Sequence, residues 1–331
     1  MIRAVQYRSF GGPDVLEMVD APIQEPGDRE VRVVVKAAGL NPMDEKVFEG
    51  SRALRVVGFI DALSKPAQWF SPSFPKRVGR DFAGIVDAVG SRVDGFTVGD
   101  TVLGTLRGAP GTRTKCGSLA ECLVVTVEDV VHKPEPLSYE SAAALGIAAR
   151  TACGALRELD VQSSDVIVIS AAAGGVGSLA AQLAIHRGAT VIGIAGEGNA
   201  EFLRSLGVVP VAYGAGVRDR ILAVSPGPIT KLLDCYGRDY VQLGFSLGLR
   251  GSAVGTLVPS LRVILRGARF TGSRHAWPGD LEVVAKLVAD GAIKTVLART
   301  FPFEIEAVRD AFTELAEGHV RGKLVVSLAS S

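Results

Sequence analysis

Residues 165–186 read Asp165-Val-Ile-Val-Ile-Ser-Ala-Ala-Ala-Gly-Gly-Val-Gly-Ser-Leu-Ala-Ala-Gln-Leu-Ala-Ile-His186. Val166 to Ile169 is a short β-branched run, the pattern of a strand buried on both faces. Gly174, Gly175 and Gly177 punctuate a turn, and from Val176 small and apolar residues recur at helical spacing. The order is strand, glycine turn, helix. Such a turn lets backbone approach a pyrophosphate, and the helix N-terminus offers N–H groups and a positive dipole end to it. The local string is Ala172-Ala173-Gly174-Gly175-Val176-Gly177, with Ala in the first place of the usual Gly-x-Gly-x-x-Gly. A second strand, Thr190 to Ala195, follows. The unit from Asp165 to Ala195 is about 30 residues, the size of one βαβ mononucleotide half. An ordinary helix-starting turn is the competing reading of the isolated string.

Working outward, residues 1 to about 128 hold frequent short strands, among them Arg3 to Tyr7 and Glu30 to Ala38. Pro22, Pro26 and Gly27 lie between them. That pattern predicts a small β barrel. The chain has 331 residues with 47% hydrophobic and 21% charged, which predicts about two globular domains. The formal net charge is +1 and no Lys/Arg run stands out, which argues against nucleic acid. No apolar run reaches the ~18–20 residues of a membrane span. Met1-Ile-Arg-Ala-Val5 lacks the apolar stretch of a secretory leader, so a cytoplasmic protein is expected. The four cysteines, Cys116, Cys122, Cys153 and Cys235, are scattered and form no Cys-x-x-Cys pair; free thiols are expected.

Several motifs occur together and in order: Phe10-Gly-Gly-Pro-Asp-Val-Leu16, Val35-Lys-Ala-Ala-Gly-Leu-Asn-Pro-Met-Asp44, Gly79-Arg-Asp-Phe-Ala-Gly84, Val98-Gly-Asp-Thr-Val102 and Gly117-Ser-Leu-Ala-Glu121. The glycine turn and Gly318-His-Val-Arg-Gly-Lys-Leu-Val-Val326 complete them. With them the chain resembles the zinc-independent quinone oxidoreductase branch of the medium-chain dehydrogenases/reductases. The resemblance implies an α/β protein with a GroES-like β-barrel catalytic domain and a doubly wound Rossmann domain. The expected division is 1–128 with 268–331 for the first and 129–267 for the second. It also implies a homodimer paired through an edge strand at Ala268 to Gly272.

Zinc-dependent relatives carry Cys and His where this chain has Asn41 and Arg80, and Ile147 lies near the third ligand position. Amide, guanidinium and alkyl side chains do not make a zinc site, so none is expected. Asn41 and Arg80 then become candidates to polarise a substrate carbonyl by hydrogen bonding as hydride arrives. Alternatively, Arg80 pairs structurally with Asp44 or Asp81.

The expected cofactor-binding residues are Ala173, Gly174, Gly175, Val176 and Gly177 at the turn. The resemblance adds Thr151, on a helix facing the nicotinamide side, and Lys323 in the closing motif. Cys235 follows the strand Lys231 to Asp234, whose carboxyl end is where open α/β sheets bind ligands. NAD-specific proteins carry an acid at the end of the second strand; here Ala195 stands there, which favours NADPH over NADH. Glu197 nearby pulls the other way. Arg204 is the first following cation, and Tyr213 matches a position that contacts the 2′-phosphate in related reductases. The implied reaction is hydride transfer to a quinone or conjugated carbonyl. The alternatives are an enoyl or alkene reductase and a non-catalytic dinucleotide sensor. Ser138 is expected to cap a helix. The aromatic insert of residues 51 to 75 reads as a cleft wall or as a surface excursion, and residues 106 to 115 as a solvated loop.

Overall fold

In the computed structural model, residues 1–51, 74–107, 116–237, 239–258 and 265–328 are described. Most of the aromatic insert and of the 106–115 loop therefore lies outside the described residues. The chain divides into two compact units, Met1–Ile147 with Leu297–Ser331, and Ala148–Val296. Both divisions fall further along the chain than expected. The physical reason is packing: the segment after residue 128 still adds a strand to the first unit, and the strand near 269 belongs to the sheet of the second.

The first segment contributes β1 (Ile2–Tyr7), β2 (Leu16–Ala21), β3 (Glu30–Gly39), α1 (Pro42–Phe48), β4 (Lys76–Arg77), β5 (Asp81–Val89), β6 (Thr101–Thr105), β7 (Cys122–Thr126), β8 (Val130–His132) and α2 (Tyr139–Ala143). Ser138 caps α2, its Oγ accepting from the Ser141 N–H at 3.1 Å. The division falls within α3 (Gly146–Glu158).

The second unit then carries β9 (Val166–Ile169), α4 (Gly175–His186), β10 (Thr190–Ala195), α5 (Ala200–Ser205), β11 (Val209–Ala212), α6 (Val217–Val224), β12 (Lys231–Asp234), α7 (Tyr240–Ser246), β13 (Val254–Thr256), β14 (Arg269–Phe270) and α8 (Asp280–Ala289). Its sheet runs β11-β10-β9-β12-β13-β14, and every pairing is parallel. That is the doubly wound order, with its switch point between β9 and β12. Val168, Ile192, Ile194, Leu232 and Val254 form the centre of its core. Pro210 is tolerated in β11 because that strand is the sheet's edge. The expected strand near 268–272 is β14, the opposite edge.

The chain returns to the first unit with β15 (Leu297–Pro302), α9 (Ile305–Glu317) and β16 (Lys323–Ser327). The larger sheet of that unit runs β15-β16-β3-β5-β6-β8, with β7 also on β3; β1, β2 and β4 form a smaller sheet. The amphipathic α9 buries Val308, Ala311 and Phe312, and the Phe312 ring meets Phe48 edge-on at 5.0 Å.

Candidate functional site

In the second unit, β9 ends at Ile169 and the chain turns through Ser170 to Gly174 into α4. Ala171 takes φ +47, a left-handed conformation costly for a residue with a Cβ. A Cβ at Gly177 would overlap the Ala171 carbonyl oxygen, so only glycine lets α4 start this close to the strand. Gly174 is the N-cap and no side chain caps the helix, so the first-turn N–H groups face outward for an anion. Ala173, Gly174, Gly175, Val176 and Gly177 thus form one turn whose geometry fits a pyrophosphate.

Across the switch point, a buried hydrogen-bond knot joins the ends of β9, β12 and β13. The Asp234 carboxylate is fully buried. It accepts from Ser170 Oγ at 2.8 Å, Thr256 Oγ1 at 2.8 Å, and the N–H groups of Tyr236 and Gly237 at 3.0 and 2.8 Å. Ser170 Oγ accepts from the Cys235 N–H at 2.9 Å. Four donors satisfy a charge that burial would otherwise penalise heavily. The knot holds the turns after β9 and β12 in fixed relation. Cys235 lies on it through its backbone, and burial followed by the Asp234 charge pushes its half-buried thiol upward. Thr151 is buried on α3, its methyl against Gly272.

At the end of β10, Ala195 is buried and the Tyr213 ring lies against the backbone of Gly196. Tyr213 N–H donates to the Ala195 carbonyl at 3.1 Å. Arg204 is exposed in the last turn of α5. Arg220 fixes the Tyr213 loop: its guanidinium donates to the carbonyls of Ala212 at 2.9 Å and Ala215 at 2.7 Å.

The first unit holds a second constellation. The registers of β3 place Asp81 opposite Gly39 on one side and Val325 opposite Gly39 on the other. Two residues on, Lys323 therefore meets Asn41. Asn41, Asp81 and Lys323 are 3%, 0% and 7% exposed. Lys323 Nζ donates to Asn41 Oδ1 at 2.6 Å and to the Leu40 carbonyl at 2.7 Å, and lies 3.5 Å from Asp81 Oδ2. Asn41 Nδ2 donates to Asp81 Oδ2 at 2.9 Å, and Ile147 N–H to Asp81 Oδ1 at 2.9 Å. Asp44 Oδ2 accepts from Asn41 N–H at 3.1 Å. Burial pushes the Asp44 carboxyl up to about 7, against the pull of the Arg80 and Lys323 charges.

Two of the expected site residues are engaged within their own unit. The Lys323 ammonium is bonded to oxygens of Asn41, Leu40 and Asp81. The Asn41 amide is engaged at both ends inside this cluster. Arg80 is half-buried beside the cluster, where its charge acts on Asp44.

Ser170, Thr256 and Arg220 were not singled out from the sequence, and Asp81 only as an alternative partner of Arg80. Asp81 had a signal, an acid beside Arg80 in a glycine-flanked strand. The other three gain their roles from strand order and loop path.

Residues 27–135 match the alcohol dehydrogenase GroES-like domain, and residues 150–326 match the zinc-binding dehydrogenase family. A quinone oxidoreductase of Pseudomonas aeruginosa is 33% identical, the match covering 98% of this chain and 99% of that one. A 2-methylene-furan-3-one reductase of Solanum lycopersicum is 31% identical over 98% of this chain and 79% of its own length. The solved quinone oxidoreductase of Coxiella burnetii superposes with a TM-score of 0.82 at 32% identity, covering 99% of both chains.

The zinc of the family's name does not fit this donor set. Where zinc ligands are expected stand an amide, a guanidinium and the alkyl side chain of Ile147, and the nearby carboxylate Asp81 is bonded to an ammonium. Among the described residues no group of three His, Cys, Asp or Glu side chains is placed to hold a metal ion. No helix among them is long and apolar enough to cross a membrane. The two family matches, the parallel sheet with its glycine turn, and relatives aligned end to end agree: the chain belongs to the quinone oxidoreductase branch of the medium-chain dehydrogenase/reductase superfamily and is an NAD(P)H oxidoreductase acting on a small molecule.

Proposed function

We propose that the chain reduces a quinone or another conjugated carbonyl, with NADPH preferred over NADH. The observation that carries the cofactor choice is the end of β10. Ala195 stands where an acid would hold a ribose 2′-hydroxyl, and Tyr213 lies beside Gly196 at the same strand end. Arg204 adds a cation one helix on. The bound nicotinamide supplies the hydride. The chain supplies position: the uncapped start of α4 for the pyrophosphate, and the Asp234 knot that holds the flanking turns. Asn41 and Arg80 remain the proposed residues for carbonyl polarisation. Thr151, Cys235 and the α4 turn remain the proposed cofactor contacts.

A second reading, alkene reduction, is favoured by the tomato relative, which is named a reductase of 2-methylene-furan-3-one. A homodimer is part of the proposal, supported by β14 standing at the sheet edge. A cytoplasmic location is also part of it, and cell fractionation tests it.

The experiment is a titration with NADPH and NADH, followed by loss of reduced-nicotinamide absorbance with an ortho-quinone, a para-quinone and an enone. Tighter binding of NADH overturns the cofactor choice. Turnover with the enone alone moves the chain to alkene reduction. Tight binding without turnover on any acceptor favours a sensor. Light scattering on the purified protein reads the oligomeric state.

A further inference from the structure

The first unit contains a small cavity of about 40 Å³ between its two sheets. Gln24, Arg32, Arg77, Cys116 and Cys122 supply its polar lining. The volume admits a molecule only slightly larger than water. Two thiols and two guanidinium groups thus share one cavity, and their surroundings differ.

Arg32 is committed elsewhere: its Nε donates to Asp87 at 2.9 Å and its Nη1 to Glu25 at 2.7 Å. Arg77 is not in that position. Its Nη1 is buried and has no hydrogen-bond partner among the described residues. A buried charged donor without an acceptor is costly, and a native fold rarely leaves one without a use. Burial pulls the Arg77 guanidinium below its ordinary range, and the neighbouring Cys116 sulfur works against that pull. The Cys116 thiol also lies 3.9 Å from Gln24 Oε1.

The other thiols stand in opposite surroundings. Burial and the Asp87 carboxylate push Cys122 up. Burial pushes Cys153 up to about 11, with the Asp280 carboxylate adding to it. Cys235 is pushed up by burial and by Asp234. A thiol that keeps its proton is a poor nucleophile; one beside an uncommitted guanidinium is a better one.

We propose that Cys116 is an oxidant-responsive thiol, the site at which a small hydroperoxide modifies this protein, with Arg77 as the group that holds the anionic sulfur and then its oxygen. The Cys116 thiolate attacks the peroxide. The S–O bond forms as the O–O bond breaks, sulfur is oxidised to the sulfenic acid, and the peroxide is reduced to water or an alcohol on taking up a proton. The new oxygen supplies the acceptor that Arg77 Nη1 lacks. The site is independent of the hydride-transfer reading.

The test uses the full chain, reduced and then exposed to hydrogen peroxide with dimedone present to trap sulfenic acid. Peptide mass spectrometry measures the rate at all four cysteines. Cys116 is expected to label at least ~10-fold faster than Cys122, Cys153 and Cys235. Arg77→Met should remove that advantage and Arg77→Lys should restore most of it. The lysine variant keeps the test valid should the methionine variant fold poorly. Equal labelling of the four thiols overturns the proposal, and so does an Arg77→Lys chain that labels no faster at Cys116 than at the other thiols.

Discussion

Replacing Lys323 by Met separates two roles that one residue has been offered, cofactor ligand and buried counter-charge. In the structure its ammonium makes two short bonds, to Asn41 Oδ1 at 2.6 Å and the Leu40 carbonyl at 2.7 Å, and faces Asp81 Oδ2 at 3.5 Å. Hydrogen bonds to a charged group are worth ~1.5–3 kcal/mol each. Removing one partner of a buried ion pair costs about 3–5 kcal/mol, because the other charge stays behind in low dielectric. The two routes agree, and Asp81, fully buried, is the charge left behind. For a domain of about 150–250 residues 1 kcal/mol shifts Tm by about 2–4 °C, so the first unit should melt ~6–20 °C lower. The assay is thermal unfolding by circular dichroism, paired with NADPH titration at a temperature where the variant is folded. A second variant, Lys323→Met with Asp81→Asn, should recover at least ~2 kcal/mol by removing the orphaned charge. An unchanged Tm with NADPH affinity reduced tenfold or more would refute the reasoning and return Lys323 to the cofactor.

Three other outcomes follow from the same geometry. The Asp44 carboxyl is raised from 3.8 to about 7 in the fold, so it is protonated there while ionised in the unfolded chain; stability should fall as pH rises through that window, by up to about 4 kcal/mol. Asp44→Asn should lose that fall, and parallel urea-midpoint curves for the two proteins from pH 4 to 8 would sink the idea. At the glycine turn, Gly177→Ala drives a methyl onto the Ala171 carbonyl, and calorimetric titration should show NADPH affinity lowered ~10-fold or more; an affinity equal to the parent's would remove this turn from the site. Thr256→Val deletes one of four donors to the buried Asp234 and should cost ~1–3 kcal/mol in denaturant unfolding, whereas a neutral result would mean the knot is not under load.

The second unit was largely legible in the sequence because its signals are local. Val166–Ile169, the glycines at 174, 175 and 177, and Thr190–Ala195 announce strand, turn and strand within one stretch of chain. What stayed hidden depends on which strand lies beside which. Lys323 was expected near the cofactor from its place in the closing motif Gly318 to Val326. Only the pairing of β16 with β3 brings it to Asn41. Thr256 sits in a stretch with no motif and becomes important because β13 lies next to β12. The domain boundaries were missed for the same reason: β8 and β14 are short, and their partners, β6 and β13, decide the unit to which they belong.

That same pairing sets an order of events during synthesis. β16 joins β3 with Val325 opposite Gly39, and the residues between them include the whole second unit. The parallel sheet has all its strands once residue 296 has left the ribosome, whereas the first unit must wait for β15, α9 and β16. Until then its early strands have an open edge on β3, and the Asp81 carboxylate lacks its ammonium. The last stretch to be made is thus the one that closes the first unit. Limited proteolysis of a chain stopped at Val296 should find the second unit resistant and residues 1–147 open to cleavage, and the reverse pattern would show that the first unit closes without its final strands.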